Sequence, residues 1–144
     1  MKDRYVGIGI VARDHSGNFM GARAITKKVI GSPKLAETMA ALEAVLFCKE
    51  CGFFEVILEG DAKQVVNDVN ARKTDLSAAG LFVDDILSEL KGLRYVKVAH
   101  IGRNSNNVAH VLAKEASAKF LDMAWLEDVP DFLVYAVNRD RLYP

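Results

Sequence analysis

The stretch from Lys34 to Cys51 constrains the fold most, because it is apolar on two sides at once. Leu35, Met39, Leu42 and Leu46 recur at helical spacing, and Ala41, Ala44 and Cys48 form a second stripe on the opposite side. A helix with two apolar sides is buried on both. Ser32 can cap its start, and Pro33 suits the first helical position, where the missing N–H has no intrahelical partner to lose. Gly52 marks its end.

The segments on either side read as strands. Val6–Ala12 is a dense run of β-branched residues and glycine, and Asp14-His15-Ser16-Gly17 signals a turn into a second strand over Phe19–Ile30. Phe53–Leu58 reads as a short buried strand. Asp61 opens the next helix with Gln64 at capping-box spacing, and Lys73–Ala78 reads as a loop. Leu81–Leu90 is a further amphipathic helix, Tyr95–Ile101 alternates as a half-buried strand, and Asn107–Phe120 is a last helix. Beyond Trp125 the pattern weakens, with room for a short helix near Phe132–Val137. The order predicts an α/β fold, a mixed sheet with helices packed on it. The helix-linked return from Phe53–Leu58 to Tyr95–Ile101 predicts that those two strands run parallel.

With 144 residues, 51% of them apolar and 26% charged, the chain can bury one substantial core. We read one domain over 1–144, with a core of about 5–121 and a C-terminal tail over 122–144. Its 19 basic and 19 acidic residues cancel, so any pull on a nucleic acid must be local. His15–Ala36 carries Arg23, Lys27, Lys28 and Lys34 without an acid, a run that suits either a solvated hairpin or a phosphate-binding face. No long apolar segment is visible, which predicts an intracellular protein, cytoplasmic or nuclear and not secreted, without a membrane partner. Cys48 and Cys51 lack a second ligand pair at zinc spacing, so they read as reduced, packed thiols.

Two acids stand out. Glu37 falls on the stripe of Ala41, Ala44 and Cys48, where a carboxylate needs a reason, although the end of a stripe can also reach solvent. Asp61 follows a strand at its C-terminal end, where open α/β sheets collect ligands, although an N-cap role with Gln64 would explain it equally well. Together, two carboxylates near one sheet edge can hold hard divalent cations such as Mg²⁺. Two such ions can activate water and stabilise the leaving oxygen of a phosphodiester.

The runs GIGIVARDHSGNFMGA, LAETMAALEAVLFCKECGFFEVILEGDAKQVV and VAHIGRNSNNVAHVLAK, followed by a late Trp and Pro, resemble the plant, retroelement-derived ribonuclease H-like domain. The resemblance implies a five-stranded mixed sheet flanked by helices, with the central strand first in sequence. It implies four acids that bind two Mg²⁺ ions and cut the RNA strand of an RNA–DNA hybrid. Glu37 matches the second of them, within Ala36-Glu37-Thr38, and Asp61 the third, within Glu59-Gly60-Asp61. The fourth falls on His110, which suits either an auxiliary to the metal chemistry or a polar-face helix residue. Arg103, Asn106 and the basic hairpin with Arg23, Lys27 and Lys28 would approach the phosphates.

The first acid has no counterpart. Asp3 lies too close to Gly7-Ile8-Gly9 for a strand, a turn and a return, so the sequence as given reads as starting after the family's central strand. Three outcomes stay open: Val6–Ala12 pairs directly with Phe53–Leu58, a second chain supplies the strand, or a longer product carries it. The expected function is a nucleic-acid-binding domain acting on hybrid or on double-stranded RNA or DNA, with weak or no hydrolysis. The alternatives are a non-catalytic module that binds nucleic acid or protein, and a structural domain that homodimerises through an unpaired strand edge.

Overall fold

The computed structural model describes residues 3–142. In chain order the elements are β1 (Asp3–Arg13), β2 (Phe19–Ile30), α1 (Pro33–Glu50), β3 (Glu55–Gly60), α2 (Lys63–Asn70), α3 (Ala78–Leu90), β4 (Tyr95–His100), α4 (Asn107–Lys119), β5 (Asp122–Leu126) and α5 (Val134–Leu142). They form two compact units, one running up to Ile30 and resuming at Arg103, the other running from Gly31 to Gly102.

The first unit is a three-stranded antiparallel sheet in the order β1-β2-β5, with α4 packed on it. Its hairpin follows from the turn signal. The Asp14 carboxylate accepts from the N–H groups of Ser16 and Asn18, each at 2.9 Å, and Gly17 takes the left-handed backbone, φ 83°, that the turn requires. The backbone bond from Asn18 chiefly holds the Asp14 carboxyl below its ordinary pKa.

Alternation places Gly7, Gly9, Ala22 and Ala24 on one face, and their small size lets α4 lie against the sheet. A Cβ on Gly7 would stand 1.9 Å from the Ala113 carbonyl oxygen, and one on Gly9 would stand 2.0 Å from that of Ala109. The core there gathers Ala22, Ala24, Val108, Leu112, Ala116, Leu133, Ala136 and Val137. Residues 122–142, read from sequence as a tail, thus supply an edge strand and the fully buried Leu133. Burying such a leucine is worth about 1.5–3 kcal/mol.

The second unit is a parallel pair, β3 with β4, covered on one face by helices. Val45, Val65, Val69, Val83, Ile86 and Leu87 form its core, with Leu58 and Val98 packed against them. The parallel pairing predicted from the helix-linked return is present. The strand read as Phe53–Leu58 is displaced to Glu55–Gly60 and is buried on one face only, with Ile57 exposed on the other. The displacement has a local cause: Phe53 N–H donates to the Cys48 carbonyl at 2.8 Å in the turn that ends α1, so the chain cannot extend until after it. α3 begins earlier than the apolar periodicity predicted, because Ser77 caps it by accepting from Gly80 N–H at 3.1 Å.

Among the described residues β1 pairs with β2 and β3 with β4, in two separate sheets. Asp3 is part of the same strand as Gly7-Ile8-Gly9, where it lies opposite Ile30. No helix among the described residues is long and apolar enough to cross a membrane.

Candidate functional site

Glu37 and Asp61 both lie in the second unit, on adjoining elements. Glu37 sits in the second turn of α1, and Asp61 in the link from β3 to α2. The first turn of α1 is fixed to α2 by an ion pair, Lys34 Nζ to Asp68 Oδ2 at 2.7 Å. Lys34 precedes Glu37 by three residues and so shares its side of the helix.

Two details differ from the sequence reading. Glu37 is exposed, so it does not share the burial of Cys48 on the same stripe. The acid that α1 buries is Glu43, only 8% exposed, which the stripe count did not single out. Asp61 is not the N-cap of α2: the cap is Ala62, with no side-chain capping bond. The strand continues through Gly60, whose carbonyl accepts from Ile101 N–H at 3.0 Å, and this leaves Asp61 one position short of the cap. The half-buried Asp61 stands at the C-terminal end of a parallel strand.

Oxygen donors of this kind suit Mg²⁺, which is commonly held by one or two carboxylates and keeps much of its water shell. Among the described residues no group of three or more His, Cys, Asp and Glu is gathered as a metal cage. Glu37 and Asp61 are the pair that would hold such an ion.

The remaining candidates lie in the first unit. Arg23 and Lys27 alternate with Ile25 and Val29 on the face away from α4, whereas Lys28 lies on the α4 face opposite Tyr5. The basic hairpin therefore divides its charge between two faces. Arg23 is also engaged by Asp122, Nη2 to Oδ1 at 3.1 Å across β2 and β5. Arg103 is exposed in the tight helical turn Arg103–Asn106 that leads into α4, and Asn106 stands at the helix N-cap without spending its side chain on a capping bond. The two residues flank a helix N-terminus, whose unpaired N–H groups favour an anion. His110 is half-buried in the first turn of the same helix.

The family model described as reverse transcriptase-like matches residues 1–116. The chain belongs to that family and is a ribonuclease H-like domain. The fold is similar to that of RNase H1 from the halophilic archaeon Halobacterium salinarum, at 19% identity and a TM-score of 0.58, over 79% of this chain and 94% of that one. It is also similar to the N-terminal RNase H domain of a Mycobacterium tuberculosis protein, solved as a fusion with maltose-binding protein, at 18% identity and a TM-score of 0.57, over 81% of this chain and 95% of that one. No curated protein matches the chain significantly.

Proposed function

We propose that this ribonuclease H-like domain binds nucleic acid and retains at most slow, Mg²⁺-dependent hydrolysis of the RNA strand of an RNA–DNA hybrid. The observation that carries the reading is the position of Glu37 and Asp61 within the matched span, on elements of one unit fastened by Lys34 and Asp68. Glu37 and Asp61 would hold the ion, which when bound supplies charge for the phosphodiester and a more acidic water. Arg103 and Asn106 at the start of α4 would hold phosphates and orient the strand, and Arg23 and Lys27 would offer further cations on the other face of the sheet. His110, one turn into α4, would hold or move a proton beside them.

Slow turnover is expected because a histidine, His110, stands where the resemblance implies the fourth acid. The test is cleavage of an end-labelled RNA–DNA hybrid with Mg²⁺ by the full chain and by Glu37→Gln and Asp61→Asn. Slow cleavage abolished by either change supports the reading; cleavage that survives both overturns the assignment of these acids.

Binding without cleavage is the second reading, favoured by the same shortage of carboxylates. It expects hybrid affinity that falls with salt and ignores Mg²⁺ and Asp61→Asn. A homodimer through the outer edge of β1 has less in its favour, because the Gly7 N–H on that edge already donates to Ser117 Oγ at 3.0 Å.

A further inference from the structure

The C-terminus of α4 holds an aromatic ring where the backbone would favour glycine. Phe120 caps the helix in the left-handed region, with φ 52° and ψ 70°, a conformation that costs a non-glycine residue about 1–2 kcal/mol. Its ring recovers little of that by burial, since Phe120 remains 65% exposed.

The position is nevertheless held firmly. Thr26 on β2 donates its hydroxyl to the Ala116 carbonyl at 2.6 Å and accepts from Leu121 N–H at 3.1 Å, while its own N–H donates to the Leu121 carbonyl at 2.7 Å. Phe120 N–H donates to the Ala116 carbonyl at 2.9 Å. These bonds brace the backbone on both sides of Phe120.

The ring meets Tyr5 of β1 edge to face, with centroids 5.1 Å apart. Tyr5 is itself 58% exposed. Lys28 lies directly opposite Tyr5 on the neighbouring strand, and Lys119 immediately precedes Phe120, paired with Glu115 at 2.5 Å. Strain kept at an exposed position points to use of the ring outside the core.

Two exposed rings beside two lysines suit a ligand that is flat and apolar in one part and anionic along its chain. We propose that Tyr5 and Phe120 form a stacking platform for unpaired bases of single-stranded nucleic acid, with Lys28 and Lys119 beside its phosphates. This platform uses neither Glu37 nor Asp61. Base stacking on aromatic rings tolerates any sequence, so no base preference is built in.

The test is fluorescence anisotropy of the full chain with a short labelled oligouridylate and with an abasic sugar-phosphate oligomer of equal length, at fixed low salt. The base-bearing strand is expected to bind at least about fivefold more tightly. Phe120→Gly and Tyr5→Ala are expected to bring that ratio toward one while affinity for the abasic strand is kept. Because glycine is at ease in the left-handed region, Phe120→Gly is also expected to keep or raise the melting temperature.

Equal affinity for the two oligomers, or a base preference that survives both substitutions, overturns the proposal. So does a fall in melting temperature for Phe120→Gly, which would make the ring a structural brace. Hybrid duplex titrated in parallel separates the two readings. Hybrid binding without base preference sinks the platform alone, whereas base preference without hybrid binding sinks the proposed function alone.

Discussion

Lys34 Nζ stands 2.7 Å from Asp68 Oδ2, and this pair fastens the first turn of α1 to α2. Asp68 is 9% exposed, so its carboxylate depends on that partner far more than a surface acid would. Lys34→Met is therefore expected to lower unfolding stability by about 1–3 kcal/mol, the cost of leaving a buried charged group without its partner. Urea denaturation measures this. Hybrid cleavage should fall as well, because the turn next to Glu37 loses its anchor. A stability loss with full cleavage would separate the ion pair from the site.

Gly7 and Gly9 set how closely α4 can lie on the sheet. A methyl group at either position would meet a helix carbonyl oxygen at 1.9 or 2.0 Å, and backbone cannot give way as a flexible side chain can. Gly7→Ala or Gly9→Ala should each destabilise by about 1–3 kcal/mol or more, with α4 displaced. Gly17→Ala is the contrasting control, since a Cβ there meets nothing and the only cost is its left-handed φ of 83°, about 1 kcal/mol. Equal losses at Gly9 and Gly17 in chemical denaturation would contradict the close approach of α4.

The legible parts of this fold were those written in periodicity and punctuation. Ser32 and Pro33 set the start of α1, where the Ser32 hydroxyl accepts from Leu35 N–H at 3.2 Å, and Asp14 and Gly17 set the hairpin. What stayed hidden depends on partners distant in sequence. Trp125 and Phe132 stack edge to face at 5.6 Å, and nothing in the weak pattern after residue 122 announces that contact. The burial of Glu43 and the exposure of Glu37 are likewise decided by neighbours, because both acids sit on a helix with two apolar sides. For the site, the motif around Asp61 was visible, but the start of α2 was placed one residue early because Gly60 extends β3 by pairing with β4 and the N-cap falls at Ala62.

Cys48 and Cys51 are free thiols of unequal burial. Burial, with a smaller contribution from Cys51, pushes the Cys48 thiol from an ordinary value near 9 up to about 11. At pH 8 its thiolate is therefore scarce, and a disulfide reagent should titrate Cys51 first and Cys48 slowly. The sign for stability follows from proton counting. Between about 9 and 11 the unfolded chain has lost the proton that the folded chain keeps, so the folded state is increasingly disfavoured as pH rises through that window. Cys48→Ala should flatten the decline in melting temperature across it. A wild-type decline unchanged in that variant would assign the alkaline loss to other groups.

Asp122 would compete for Arg23 with any phosphate that reaches the sheet. Its carboxylate lies 3.1 Å from the guanidinium, and it is itself 69% exposed, so it contributes little to holding the sheet together. Asp122→Asn removes the competitor while keeping a side chain of the same shape on β5. If Arg23 contacts nucleic acid, the variant should bind hybrid duplex more tightly at low salt, and its log-affinity against log-salt slope should steepen by up to about one unit as one more cation meets the backbone. Arg23→Gln should move both quantities the opposite way. Because Asp122 lies at the sheet edge, the melting temperature is expected to change little, which keeps the binding change interpretable. An unchanged slope in Asp122→Asn would place Arg23 outside the nucleic-acid interface and leave Arg103 and Asn106, at the start of α4, as the phosphate contacts to test next.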